Sequence, residues 1–299
     1  MNDTQIQKFI ESNDIISNPG ALHSRLRKDG YLFFRNLLPR EDILNLQRRI
    51  LKFCDEAGWI KKGTDWKDGL TDHKPLVEGE TEWEPVYEKL QKCEEFHRLK
   101  LHPNVQKLME SLFEEKVFCL PCTIGRIAFP RDNERATAPH QDWLYVQGSS
   151  YTLTCWAPLG DIPREVGGLK ILVGSHKTGF LVPHKAQGPG GNTVPIDPTL
   201  PWAATDYRAG DVLIFLSMTL HGALPNKTPD RLRLSMDFRY TGLSHTVTEN
   251  WLKPHFNWLG ARFSWDNLDK DWKDQSLRRY WERMPVKTRP HEERVYARD

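Results

Sequence analysis

Two residue types that bind metals stand two positions apart in the stretch RATAPHQDWLYVQGSSYT, which covers residues 135 to 152. His140 and Asp142 offer an imidazole nitrogen and a carboxylate oxygen, both of which are ligands for divalent metals. The signal is weak by itself, because the chain has 11 histidines and 40 acidic residues. The sequence His291-Glu292-Glu293 repeats the same spacing near the C-terminus. Such a pair therefore becomes a site only if distant residues complete it.

His221 is the best candidate for a third ligand. The stretch GDVLIFLSMTLHGALPN predicts a strong strand, and His221 at its end shares a face with Phe215 and Thr219. On a strand, His140 and Asp142 would also point to one face. Two imidazoles and one carboxylate on one side of a divalent iron leave three coordination positions open, as in non-haem oxygenases. Zinc accepts the same ligand types, so these residues alone leave the identity of the metal open.

Two arginines follow His221 in NKTPDRLRLSMDFRY and could bind a second reactant. Arg231 and Arg233 have the spacing to share a strand face with Asp237, and a guanidinium group suits bidentate binding of a carboxylate. A plainer interpretation is that both arginines form ion pairs with Asp230 and Asp237 at the end of a barrel. The residues alone do not decide between these alternatives.

The elements that must position these residues change character along the chain. Residues 39–59 and 85–115 have apolar residues at helical spacing, after a short aromatic strand at 29–38. From Lys116, short β-rich segments follow one another without helices between them, which predicts an antiparallel barrel or sandwich. Residues 60–84 and 186–210 are long loops, and long loops often act as lids. We expect one domain over 1–299, divided into an N-terminal region (1–115), a β core (116–245) and a tryptophan-rich tail (246–299) that wraps the core.

Composition excludes several classes of protein. The formal net charge is +2, from 42 basic and 40 acidic residues that are well mixed, so neither nucleic acid nor a membrane surface is an expected partner. Five cysteines indicate free thiols in a reducing compartment, and the C-x-x-C at Cys119 and Cys122 has no second pair to complete a zinc site. The N-terminus has no signal-peptide pattern and no stretch is long and apolar enough for a membrane span. We expect a cytoplasmic enzyme that is a monomer or a homodimer and acts on a small molecule.

Four blocks of sequence together are far more specific than the His-Asp pair. HQDW, CWAPLGD, VGGLKILVGSHKTG and AGDVLIFLSMTLHGALPNKTPDRLRLSMDFRY resemble, in order and spacing, the iron(II)- and 2-oxoglutarate-dependent phytanoyl-CoA dioxygenase family. DGYLFFRNLLPRED resembles the N-terminal strand and helix of that family. The resemblance covers about residues 29–57 and 116–241. It implies a mainly β fold, a double-stranded β-helix or jelly roll of the cupin type, with N-terminal helices packed outside.

The resemblance also assigns roles to residues. It implies that His140, Asp142 and His221 bind Fe(II), and that Arg233 binds the 2-oxoglutarate carboxylate, with Arg231 nearly as good by its spacing from His221. Trp156 and Thr154 are expected near this cosubstrate, whereas His176 in GSHKTG is expected to be structural. Candidates for substrate contact are Arg126, Trp143, Trp66 and Trp202.

The implied reaction uses O2 and converts 2-oxoglutarate to succinate and CO2, while an unactivated C–H bond of the substrate is hydroxylated or otherwise oxidised. Relatives that halogenate have a small residue in place of the carboxylate, so Asp142 implies oxygenation. No Lys/Arg cluster suited to coenzyme A stands beside the β segments, which favours a small polar metabolite or a natural-product intermediate over an acyl-CoA. Three alternatives remain, of which two are an acyl-CoA 2-hydroxylase of the same family and a cupin-like metal enzyme that is not an oxygenase. A binding protein that kept the fold but lost turnover is the third.

Overall fold

The computed structural model describes residues 6–132 and 135–293. Its α-helices are Pro19–Asp29 (α1), Arg40–Glu56 (α2), Glu84–Gln91 (α3), Glu94–Leu99 (α4), Pro103–Phe113 (α5), Trp143–Val146 (α6) and Trp265–Leu268 (α7). Its strands are Ile6–Gln7 (β1), Tyr31–Phe34 (β2), Val117–Cys119 (β3), Ile124–Ala128 (β4), Leu153–Pro158 (β5), Leu169–Leu172 (β6), His184–Lys185 (β7), Asn192–Thr193 (β8), Trp202–Ala203 (β9), Val212–Leu216 (β10), His221–Ala223 (β11), Arg233–Gly242 (β12), Thr246–Thr248 (β13) and Lys287–Arg289 (β14).

Two sheets form the core of the fold. The larger sheet has the order β2-β10-β5-β12-β3, with β4 also paired to β12, and all its pairs are antiparallel. The smaller sheet has the order β1-β9-β6-β11. Apolar side chains of both sheets meet in one cluster, which includes Phe33, Trp156 and Phe215 from the larger sheet and Ile171 and Ala203 from the smaller one. The sheets therefore face each other as in a jelly roll.

The N-terminal helices cover the outer face of the larger sheet. In α2, Ile43, Leu46 and Ile50 are buried as their spacing predicts, and they pack in the same cluster as Met236 and Phe238 of β12. Burial of side chains of this size contributes about 1.5–3 kcal/mol each. The prediction of helices outside a β core is confirmed.

Alternate residues of β12 have opposite chemical character. Leu234, Met236, Phe238 and Tyr240 pack outward under the helices, whereas the residues between them are polar and point between the sheets. All ten residues of β12 are nevertheless buried. The strand thus places a row of buried polar side chains between the sheets.

The C-terminal tail wraps the core in short helical turns. Trp251, Trp265, Trp272 and Trp281 are buried in one cluster with Phe118, whereas Trp258 is 68% exposed. Residues 60–84 contain one 3₁₀ turn, Trp66–Asp68, before α3 begins at Glu84. Within the described ranges, no helix is long and apolar enough to cross a membrane.

Candidate metal and cosubstrate site

The two histidines lie opposite each other on paired backbone segments. The His140 N–H donates to the His221 carbonyl at 2.9 Å, and the His221 N–H donates to the His140 carbonyl at 3.1 Å, so the ring centroids are 4.3 Å apart. Gly222 permits this approach, because a Cβ there would lie 3.2 Å from both the Pro139 nitrogen and the Thr137 carbonyl oxygen. The fold therefore brings together two imidazoles that are 81 residues apart in sequence.

The predicted strand through His140 and Asp142 is wrong. His140 forms only an isolated bridge, and Asp142 has helical backbone angles (φ −62°, ψ −25°) immediately before α6. Pro139 has no N–H to donate to a longer ladder, and the Asp142 carbonyl accepts the first backbone bonds of α6 from Tyr145 and Val146. The two side chains meet because the chain turns between them.

Hydrogen bonds fix which imidazole nitrogens face the site. The Nδ1–H of His140 donates to the Ala138 carbonyl at 2.8 Å, and that of His221 to the Thr219 carbonyl at 3.0 Å. In the neutral form of each ring the lone pair is then on Nε2, which is the state a metal requires. Burial, followed by the neighbouring His140, lowers the pKa of His221 to about 3. His221 is therefore neutral at physiological pH.

Asp142 presents one oxygen to the histidines and holds the other elsewhere. Its Oδ1 lies 3.7 Å from the Nε2 of His140 and 3.6 Å from the Nε2 of His221. Its Oδ2 accepts hydrogen bonds from Thr154 Oγ1 at 2.5 Å and from Arg239 Nη2 at 2.9 Å. One ligand atom from each of the three residues lies within 4.8 Å of the other two, close enough to hold one metal ion. With Oδ2 engaged, Asp142 is arranged to bind through Oδ1 alone.

Charges around Asp142 keep it ionised. Burial by itself would raise the pKa of Asp142, but the Arg239 guanidinium beside it outweighs burial and holds that pKa well below its usual value. Arg239 is also paired with Asp237 and lies over the Trp251 ring at 4.9 Å from the centroid. The carboxylate is therefore available to a metal without loss of a proton.

Arg233 lies on the same face of β12 as Arg239 but has different surroundings. It is 7% exposed, and its Nη1 donates to Ser235 Oγ at 2.7 Å. Its buried Nε has no hydrogen-bond partner, and it forms no ion pair with any residue of the described ranges. Burial, followed by the nearby Arg126, lowers the pKa of Arg233 to about 10. Arg233 is thus a cation without a carboxylate.

Arg231 does not reach this interior position. Its backbone pairs with Leu70 before β12 begins, and its Nη2 donates to the Asp161 carbonyl at 3.4 Å near the surface. The plainer interpretation of the sequence also fails for Arg233, since Asp237 pairs with Arg239 and Arg126, and Asp230 lies 3.9 Å from Lys61. Only one arginine of the pair points between the sheets.

The structure places the other predicted residues at different distances from this centre. Thr154 contacts Asp142 directly, and Trp156 packs between the sheets against Tyr207 at 4.7 Å between ring centroids. Trp143 begins α6 directly after Asp142 and is partly exposed. Arg126 lines a cavity beside Arg233.

Two predicted tryptophans lie away from the centre. Trp66 packs beside α2, with Lys52 at 5.6 Å from its ring. Trp202 pairs with Leu172 in register, whereas His221 pairs with Ile171, so Trp202 points to the opposite face of the smaller sheet.

Two further histidines form hydrogen bonds to backbone carbonyls. His176 bonds to the Arg27 carbonyl at 3.0 Å. His291 bonds to the Tyr145 carbonyl at 3.0 Å.

Sequence reasoning missed the role of Arg239 and the participation of Glu78. The signal for Arg239 was present, because a strand with polar residues at every second position between apolar ones has a polar buried face. Glu78 lies in the loop 60–84, and only the fold brings it to the Arg126 side chain. Periodicity gives no information about such a contact.

Comparisons with known proteins point to one family. The family model described as phytanoyl-CoA dioxygenase (PhyH) matches residues 26–234, which is more than half of the 299 residues. A 1-deoxypentalenic acid 11-beta-hydroxylase of Streptomyces arenae is 28% identical over 271 residues, covering 85% of this chain and 92% of the relative. The peroxisomal phytanoyl-CoA dioxygenase of Homo sapiens is 24% identical over 247 residues, covering 75% and 70%.

Solved structures show the same fold. The non-haem alpha-ketoglutarate-dependent epimerase SnoN from nogalamycin biosynthesis superposes with a TM-score of 0.53 at 21% identity, covering 77% of this chain and 84% of that one. EctD from S. alaskensis, solved with 2-oxoglutarate and 5-hydroxyectoine, gives a TM-score of 0.52 at 15% identity, covering 97% and 93%. The predicted fold class is confirmed.

Proposed function

The chain belongs to the phytanoyl-CoA dioxygenase family, and we propose that it oxidises an unactivated C–H bond of a small polar metabolite or natural-product intermediate. As a member of this family it is a non-haem iron oxygenase that depends on 2-oxoglutarate. Bound Fe(II), O2 and 2-oxoglutarate supply the oxidising power, and 2-oxoglutarate leaves as succinate and CO2.

We assign the iron to His140, Asp142 and His221. The donor set fits, because two imidazoles and one ionised carboxylate lie within 4.8 Å of one another. Thr154 and Arg239 hold the second oxygen of Asp142, which leaves the metal three positions for other ligands. The carboxylate also favours oxygenation over halogenation, because it occupies the position that a halide would need.

We assign the distal carboxylate of 2-oxoglutarate to Arg233. The observation that supports this most is a buried guanidinium whose Nε has no partner and whose Nη1 has only a serine hydroxyl. A buried cation without an anion is costly, and a bound carboxylate would relieve that cost with charge-assisted hydrogen bonds. Phe215 and Trp156 add buried apolar surface to the interior between the sheets.

The proposed class of substrate rests on the relatives. Two of the relatives with which the chain shares most of its length hydroxylate 1-deoxypentalenic acid, which favours a natural-product intermediate. We also propose a cytoplasmic location, because all five cysteines are unpaired and buried. A monomer or homodimer acting on a small molecule, without nucleic acid, remains our prediction.

Succinate formation tests the proposed reaction. Purified protein incubated with Fe(II), 2-oxoglutarate and air should release succinate slowly, and a metabolite library should contain compounds that accelerate the release. A chelator should stop it, as should Asp142→Ala. Turnover of a library compound without 2-oxoglutarate would instead identify a metal enzyme of another class.

A further inference from the structure

A cavity opens beside the proposed cosubstrate position. It is lined by Arg233 and by Thr137 and Ala223, which are bonded to each other next to the His140–His221 bridge. Apolar residues such as Leu76, Phe129 and Leu224 form much of its wall. The polar groups Glu78 and Arg126 stand in the same wall. The cavity therefore lies beside Arg233 and beside the backbone segments that carry His140 and His221.

Glu78 and Arg126 are fixed by buried partners behind them. Arg126 is ion-paired with Glu78, and its Nε lies 3.6 Å from Asp237. The other oxygen of Glu78 lies 3.6 Å from His255 Nε2. The Tyr87 hydroxyl accepts from Gln91 at 2.9 Å, which leaves its proton for His255 Nδ1 at 2.7 Å.

His255 is consequently neutral with its proton on Nε2. Burial lowers its pKa well below the usual value, and Nδ1 is occupied as an acceptor. His255 Nε2 lies 3.6 Å from the Glu78 carboxylate. A residue of the C-terminal tail therefore lies beside a loop residue of the cavity wall.

The charges of this interior are balanced before a substrate enters. Glu78, Asp142 and Asp237 provide three carboxylates, and Arg126, Arg233 and Arg239 provide three guanidinium groups. Fe(II) and the dianion of 2-oxoglutarate cancel each other when bound. No net charge remains to attract an ionised group of the substrate.

We propose that Glu78 and Arg126 determine substrate specificity by binding an uncharged hydroxyl or carboxamide group of the substrate and by rejecting a free carboxylate or phosphate. The pair presents an acceptor oxygen and donor N–H groups side by side, which matches a group that both donates and accepts. A substrate anion would meet the Glu78 carboxylate, while Arg126 is already engaged by two anions. This inference rests on the proposed function and names the substrate class for the same site.

Three probes of one skeleton test the proposal, namely cyclohexylmethanol, cyclohexanecarboxylate and cyclohexylmethylamine. Their dissociation constants are measured on anaerobic holoprotein loaded with Fe(II) and 2-oxoglutarate, from perturbation of the visible charge-transfer band. The alcohol should bind about tenfold more tightly than the acid or the amine. In Glu78→Gln, Arg126 no longer has a carboxylate partner at position 78. Cyclohexanecarboxylate should then bind most tightly of the three probes.

Glu80→Gln is the matched control, because Glu80 lies two residues further along the same loop and pairs with Arg135 at the rim. It should keep the order found in the unmodified protein. An order that does not change in Glu78→Gln, or failure of all three probes to bind, overturns the inference. Failure of the proposed function differs from either result, because the charge-transfer band would then be missing before any probe is added.

Discussion

Arg239 and Arg233 point into the same interior from one strand, six residues apart, yet they occupy opposite electrostatic situations. Arg239 contacts two carboxylates, Asp142 and Asp237, and these contacts raise its pKa above the usual value despite burial. Arg233 has a serine hydroxyl and, among the described residues, no carboxylate at ion-pair distance, and burial lowers its pKa to about 10. The same residue type thus forms ion pairs within the protein at position 239 and carries an unpaired charge at position 233.

The difference distinguishes a residue that positions Asp142, a proposed metal ligand, from a residue that is free to bind the cosubstrate. A buried ion pair is satisfied within the fold, so Arg239 and Thr154 hold the metal-binding carboxylate before any ligand arrives. An unpaired buried cation costs free energy in the protein alone and regains it when an anion binds. Substitutions at the two arginines should therefore have opposite effects on stability.

The largest effect should come from Arg239→Met. It leaves Asp142 buried without its guanidinium, and loss of one partner of a buried pair costs about 3–5 kcal/mol. Denaturant unfolding of the metal-free protein should show a decrease of this size in the free energy of unfolding. A decrease below about 1 kcal/mol, the value typical of surface pairs, would contradict the positioning role.

Arg233→Met should have the opposite effect on stability and a large effect on the cosubstrate. The metal-free variant should be as stable as the unmodified protein or more stable, because an unpaired buried charge is removed. Its affinity for 2-oxoglutarate should fall about tenfold to a hundredfold, as expected for lost charge-assisted hydrogen bonds. Isothermal titration in the presence of Mn(II) measures this affinity.

Arg231→Met supplies the control for this substitution. Arg231 is near in sequence, but its side chain bonds to the Asp161 carbonyl near the surface. The affinity of the Arg231→Met variant for 2-oxoglutarate should remain within about twofold of that of the unmodified protein, as is usual for surface substitutions. If Arg231→Met weakened binding more than Arg233→Met, the two assignments would have to be exchanged.

Among the substitutions at the candidate site itself, Thr154→Val should give the smallest change. It removes one of the donors to Asp142 Oδ2 and keeps the shape of the side chain, while Arg239 still holds the same oxygen. A hydrogen bond to a charged group contributes about 1.5–3 kcal/mol, and because Arg239 still satisfies the same oxygen we expect the lower end of this range, a decrease in iron affinity of about tenfold. Competition with a coloured chelator measures this affinity, and an unchanged value would leave Arg239 as the residue that positions Asp142.

Much of this architecture follows from local patterns in the sequence. The apolar spacing of α2 and the cluster of short β segments after Lys116 predict helices outside a β core, because each pattern has a single way to bury its apolar residues. The strand through His140 and Asp142 is the exception, because Pro139 and the start of α6 override a β-rich composition.

The site was predictable where ligand chemistry constrains residue type. Ligand chemistry proposes two histidines, an aspartate and an arginine as candidates, and the resemblance of four sequence blocks to a known family selects them. The choice between Arg231 and Arg233 was not predictable, since it depends on where β12 begins. The contact between Glu78 and His255 was also not predictable, because it joins a loop to the C-terminal tail, and these two segments meet only in the folded protein.

Anaerobic spectroscopy of the iron site tests the central claim most directly. Addition of Fe(II) and 2-oxoglutarate to the purified protein should produce a weak visible charge-transfer band. His221→Ala removes an imidazole that the fold places opposite His140, so this variant should show no band under the same conditions. A band that persists in His221→Ala would contradict the assignment of the iron to His140, Asp142 and His221.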